Sequence, residues 1–139
     1  MSASVRITRR ATFAAAHVLC RPEWSDEKNR AAFGDDVNEH GHSYVIEVTV
    51  GGDVDPETGM VVNLSHVDDV LRREFVSLVD HKHLNRDVDF LGEVMPTAEN
   101  IALAAFKRLR PALQPARLLK VRIVESENNS AEVTGDQSG

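Results

Sequence analysis

The chain has 139 residues, is 42% hydrophobic and 27% charged, and carries a formal net charge of -6; such a balance fits one globular domain with a sizeable core. The acidic balance argues against a general nucleic-acid binder, although it leaves room for a local basic pocket, and no apolar run approaches the roughly 20 residues of a bilayer span. The N-terminus MSASVRITRR has no apolar signal-type segment, and one cysteine, Cys20, cannot close an internal disulfide, which points to the cytoplasm.

In chain order, Val5 to Phe13 is rich in β-branched residues and reads as a strand running on through three alanines to His17. Cys20 to Asn38, with Pro22, Gly34 and mixed charges, reads as a long excursion holding a short helical turn from the N-cap Ser25 towards Ala32. A loop of that length in a small domain is usually functional. His42 to Gly51 alternates, with Tyr44, Ile46, Val48 and Val50 on one face and Glu47 and Thr49 on the other, as a half-buried strand does. Gly51-Gly52 and Asp55-Pro56 break it, and residues 60–64 resume an extended segment. From Ser65, Val67, Val70, Leu71, Phe75 and Leu78 recur at helical spacing. A second helix follows Pro96-Thr97, its apolar stripe made by Ile101, Ala102, Ala105, Phe106 and Leu109. Leu119, Val121, Ile123 and Glu125 share one face of a closing strand, and residues 127–139, small, polar and acidic, read as a frayed tail. The order predicts a single α+β domain over 1–139 with a mainly antiparallel sheet.

His40-Gly41-His42 leads into the second strand. In an extended run both imidazoles project from one face, about 6.6 Å apart, and adjacent antiparallel strands lie about 4.8 Å apart. Gly41 removes the side chain that would crowd the opposite face. With His17 at the end of the first strand, three imidazoles meet over one point and leave a fourth position open, as in a catalytic zinc site. Spacing alone is equally satisfied by histidines that hydrogen-bond at strand ends.

The wider set of motifs is more specific. Phe13-Ala14-Ala15-Ala16-His17, Ser25-Asp26-Glu27-Lys28-Asn29 with Phe33-Gly34, and His40-Gly41-His42-Ser43-Tyr44 come first. Gly59-Met60-Val61, Asp80-His81-Lys82-His83-Leu84-Asn85, Pro96-Thr97-Ala98-Glu99-Asn100 and a late Glu125 follow. In that order, over residues 5–126, the chain resembles the 6-pyruvoyl-tetrahydropterin synthase family, which includes the 6-carboxy-tetrahydropterin synthase of the queuosine pathway. The resemblance implies the tunnelling fold: an antiparallel sheet with two helices on one face, whose subunits close into a barrel as homotrimers or homohexamers. It also implies Zn2+ on His17, His40 and His42, binding the side-chain hydroxyls of a dihydropterin triphosphate. A Lewis acid there lowers a hydroxyl's pKa and steadies enolate-like charge. Glu125 resembles the glutamate that anchors the pterin ring by accepting two parallel N–H bonds. Thr97 and Glu99 look like further pocket residues, Thr97 fitting a helix N-cap equally well. Asp80 and His81 match the family's proton-transfer pair, acting across subunits on a substrate held by a neighbour's zinc. His83 reads as a helix-end charge and His66 as a surface residue.

One departure bears on the reaction. The synthases carry a cysteine in the loop before H-G-H, where this chain has Asp36, four residues before His40; Cys20 lies across the long loop and reads as a small buried thiol. A thiol with a pKa of about 8.5 shuttles protons near neutrality, while a free aspartate at about 3.9 is a weak base. Crowding by Asp35 and Glu39, or burial, would raise Asp36. The resemblance therefore implies carbon-oxygen lyase chemistry on 7,8-dihydroneopterin triphosphate or a related dihydropterin. The alternative is retro-aldol cleavage to 6-hydroxymethyl-dihydropterin, associated with relatives acidic in this loop. A different zinc enzyme with a purine-like or pterin-like substrate and a non-catalytic pterin-binding or scaffold homologue that kept the metal remain further alternatives.

Overall fold

Alternating apolar residues make two long strands, because burying every second side chain on one face rewards an extended chain. β1 (Val5–His17) and β2 (His40–Gly52) pair antiparallel over their full length, from Val5 opposite Gly52 to His17 opposite His40. The computed structural model describes residues 3–135. Between these strands α1 (Asp26–Phe33) starts at Ser25, whose hydroxyl accepts the Lys28 amide, and a 3-10 turn (Gly34–Val37) returns the chain to β2. Then come α2 (Leu64–Leu71), a π-helical turn (Arg72–Val76), α3 (Ser77–Val79), β3 (Lys82–His83), α4 (Ala98–Leu113), β4 (Arg117–Ser126) and β5 (Asn129–Thr134).

The sheet order is β3-β1-β2-β4-β5, antiparallel throughout except for the short β1/β3 pairing. Phe13, Tyr44, Ile46, Val48, Val50, Val121 and Ile123 on its inner face pack against Val67, Val70, Phe75, Ile101, Ala105 and Leu109 of the helices. Phe13 stacks on Tyr44 at 4.8 Å and meets Phe75 edge-on at 5.5 Å. This is the α+β tunnelling fold, with the helices covering one sheet face. Among the described residues no helix is long and apolar enough to cross a membrane.

Four expectations need correction. Residues 60–64 are not a strand. Asp55 organises a turn with Gly59 at φ 74, and the Asn63 side chain accepts the Ser65 amide, so a helix begins at Leu64; local Asx hydrogen bonding outweighs the apolar run. Leu78 is exposed and Val79 buried, because the wider π turn rotates the helix face by one residue. At the other end of the sheet a β-bulge opposite Thr49/Val50 moves Leu118 into the core cluster in place of Leu119. Leu119 instead lies over Gly51, where an added Cβ would come within 2.6 Å of its Cδ1. Finally, the expected tail forms β5: Ala131 and Val133 pack on the core while the alternating polar residues face outward, as an edge strand requires. Residues 136–139 of that tail lie outside the described residues.

Candidate active site

Strand register builds the centre. His17 and His40 face each other across β1 and β2, and His42, opposite Ala15, projects from the same face two residues on. The ring centroids are 4.5 Å (His17–His40), 5.2 Å (His17–His42) and 5.0 Å (His40–His42) apart, and one nitrogen of each lies within 4.8 Å of the others. His17 Nδ1 donates to the Pro96 carbonyl at 2.8 Å and His40 Nδ1 to the Asn38 carbonyl at 2.7 Å. A carbonyl only accepts, so both rings carry a hydrogen on Nδ1, the tautomer in which the neutral ring offers Nε2 as its ligand atom. All three Nε2 atoms are buried and have no hydrogen-bond partner. Burial holds His17 below its ordinary pKa, against the opposing pull of Pro96. Buried polar nitrogens without partners are costly, and three imidazoles converging this way could hold a metal ion, with the Pro96 and Asn38 carbonyls orienting two of the rings.

The surrounding motif residues secure His17. Asn85 makes two bonds of 2.9 Å to the peptide after it, accepting from Val18 N–H and donating to Val18 C=O. The Leu84 amide donates to Ala16 C=O at 2.8 Å. In the excursion, Asn29 is buried and grips Arg21 in the same two-bonded way, at 2.8 and 2.9 Å. Pro96, Asn85 and Asn29 escape a residue-by-residue search for reactive groups. Their signal is their place inside motifs, where a carbonyl or amide holds backbone.

Two carboxylates flank the histidines. Asp36 Oδ1 lies 3.6 Å from His40 Nε2, and Glu125 lies 4.0 Å from His17 Nε2 and 3.9 Å from His42 Nε2. Beside them His83 Nε2 and Arg86 both come within 2.7 Å of Glu39, so His83 braces the loop entering β2 rather than decorating a helix end. Thr97 caps α4 by accepting the Asn100 amide at 3.2 Å, and Glu99, two residues on in the first turn, is exposed. Cys20 is half-buried and free.

Asp80 and His81 sit elsewhere. Asp80 accepts the Ala14 amide at 2.9 Å, a bond that, with His81 at 3.1 Å, holds its carboxyl below the usual range. His81 takes a left-handed φ of 61 and is 82% exposed. It borders a cleft of about 630 Å³ whose lining also includes Ala14, Gly41, His42, Ser43 and His83. Among the described residues no hydrogen bond or ion pair joins this pair to the triad.

The family model described as 6-pyruvoyl tetrahydropterin synthase matches residues 6–136. The 6-pyruvoyl tetrahydrobiopterin synthase of Homo sapiens is 37% identical, over 94% of this chain and 92% of its own. The solved 6-pyruvoyl tetrahydropterin synthase of Caenorhabditis elegans is 35% identical and superposes with a TM-score of 0.89, covering 96% of this chain and 97% of that one. A Plasmodium vivax 6-pyruvoyltetrahydropterin synthase, solved with the glutamate that is its catalytic residue changed to cysteine, shares the fold at 15% identity and TM-score 0.63, covering 95% of this chain and 98% of that one. With its motifs in order, its sheet and helices superposing and its sequence matched almost end to end, the chain belongs to the 6-pyruvoyl tetrahydropterin synthase family.

Proposed function

We propose that the chain is a zinc-dependent, cytoplasmic enzyme acting on the side chain of 7,8-dihydroneopterin triphosphate or a related dihydropterin. The observation that carries this reading is the convergence of three buried, partnerless Nε2 atoms with a carboxylate, Asp36, 3.6 Å from one of them. Zinc, when bound, supplies Lewis acidity towards the side-chain hydroxyls.

The protein's own groups supply the rest. His17, kept neutral by burial, stays a donor at physiological pH. Asp36 takes and returns the side-chain proton. Glu125 accepts the N–H groups of the ring once substrate is bound, with Asn129 Nδ2 fixing one of its oxygens at 3.0 Å. Thr97 and Glu99 border the ring. The Asp80–His81 pair serves the site of a neighbouring subunit in a homotrimer or homohexamer, and the 82% exposure of His81 supports that division of labour.

The relatives' names favour triphosphate release by a synthase, whether in a tetrahydrobiopterin or a queuosine route. Asp36 favours a second reading, aldol-type cleavage to 6-hydroxymethyl-dihydropterin. The Plasmodium vivax protein supports a carboxylate as the catalytic residue on this fold. Incubation with 7,8-dihydroneopterin triphosphate and identification of the products separates the two. Free triphosphate with a pyruvoyl or carboxy pterin marks the synthase, and 6-hydroxymethyl-dihydropterin marks cleavage. Binding without turnover would sink both.

A further inference from the structure

We infer that Glu125 is the fourth metal ligand of the substrate-free protein and leaves the metal when a substrate hydroxyl arrives. The inference rests on the metal site proposed above. Glu125 Oε2 lies 4.0 Å from His17 Nε2 and Oε1 lies 3.9 Å from His42 Nε2. Hydrogen bonds span about 2.7–3.2 Å, so neither contact is one, and both nitrogens lack a partner.

The spacing matches something else. Two donors bound at about 2.1 Å to one tetrahedral ion sit about 3.4 Å apart, so the carboxylate stands roughly half an ångström outside ligand spacing from two histidines at once. Its hydrogen-bond partner is a neutral amide, Asn129 Nδ2, on Oε1. A carboxylate 15% exposed, beside three buried imidazole nitrogens without partners, gains most from a cation placed between them. Asp36 is the competing donor at 3.6 Å from His40, but its side chain is 53% exposed, so water satisfies it. Glu125 closes the open position until substrate arrives, and then turns to the ring it is proposed to anchor.

The test is cobalt(II) titration of the metal-free protein, read by affinity and by the visible d–d bands. Glu125→Gln is expected to bind cobalt about 10- to 100-fold more weakly than wild type, with shifted bands. Glu125→Asp, which withdraws the oxygens by one methylene, should shift them too, and covers the case in which the glutamine variant does not fold. Addition of 7,8-dihydroneopterin to the wild type should move its bands towards those of Glu125→Gln. Affinity within about threefold of wild type, or weaker binding with unchanged bands, would overturn the inference, since an outer role leaves the coordination sphere alone. Bands unmoved by bound dihydroneopterin overturn the exchange. A wild type that takes up no cobalt removes the metal site itself, a failure distinct from the others.

Discussion

Asn85 holds the peptide that follows the most deeply buried ligand, and its replacement by alanine should cost both stability and metal. The side chain makes two bonds of 2.9 Å, one to Val18 N–H and one to Val18 C=O, in a part-buried setting. Each bond is worth about 1 kcal/mol net, and leaving a buried donor or acceptor unmet costs about 1–3 kcal/mol. Water reaches one of the two groups more easily than both, so Asn85→Ala should destabilise the metal-free protein by about 2–4 kcal/mol. Asn85→Asp keeps the acceptor for Val18 N–H and loses the donor to Val18 C=O, so it should cost at least half as much. Urea unfolding reads this as a lower midpoint at unchanged slope. Because Val18 follows His17 directly, zinc affinity should also fall by about 10- to 100-fold. A change under about 0.5 kcal/mol, the size of an ordinary surface substitution, with zinc affinity intact, would refute the claim that the motif's asparagine works by clamping this backbone.

Phe75 is fully buried against Phe13, so Phe75→Ala should lose about 3–5 kcal/mol in chemical denaturation, and a loss under about 1 kcal/mol would mean that the helix–sheet core is not packed as described. The Asp80 carboxyl is held below its usual pKa, first by the Ala14 amide and then by His81. Its contribution is therefore fully present above the unfolded value near 3.9 and disappears as pH falls through the lower folded value. The stability gap between wild type and Asp80→Asn should be open at pH 6 and close on acidification; a gap independent of pH contradicts that bonding. Asp36→Cys should move the pH–rate profile towards the thiol range near 8.5 and raise triphosphate release if only the acid–base group had changed, whereas an unmoved profile would exclude Asp36 from proton transfer.

Much of this was legible in the residues. The alternation from Tyr44 to Val50 fixed which face of β2 is buried, and that face also carries His40 and His42. Strand parity proposed the triad, in the register that also stacks Phe13 on Tyr44, and the ordered motifs singled it out from histidines that merely hydrogen-bond at strand ends. What escaped has a common physical character. The π turn, the bulge at Leu119 and the turn before Asn63 are each decided by one residue of backbone geometry, which hydrophobic periodicity does not encode. β5 was hidden because an edge strand with one side in water needs only Ala131 and Val133 to be apolar. Glu125 was read as a ring anchor, and only the folded chain brings it within 4.0 Å of two ligand histidines. The place of His83 beside Glu39 is likewise a tertiary contact with no local signature.

The central claim is that the three Nε2 atoms hold the ion on which turnover of a dihydropterin side chain depends. The most direct measurement is product formation from 7,8-dihydroneopterin triphosphate by the protein as purified, after chelation, and after return of one equivalent of Zn2+ per chain. Activity that vanishes on chelation and returns with zinc, but not in His42→Ala, is the predicted result. Full activity in the chelated protein, or restored activity in His42→Ala, would contradict it.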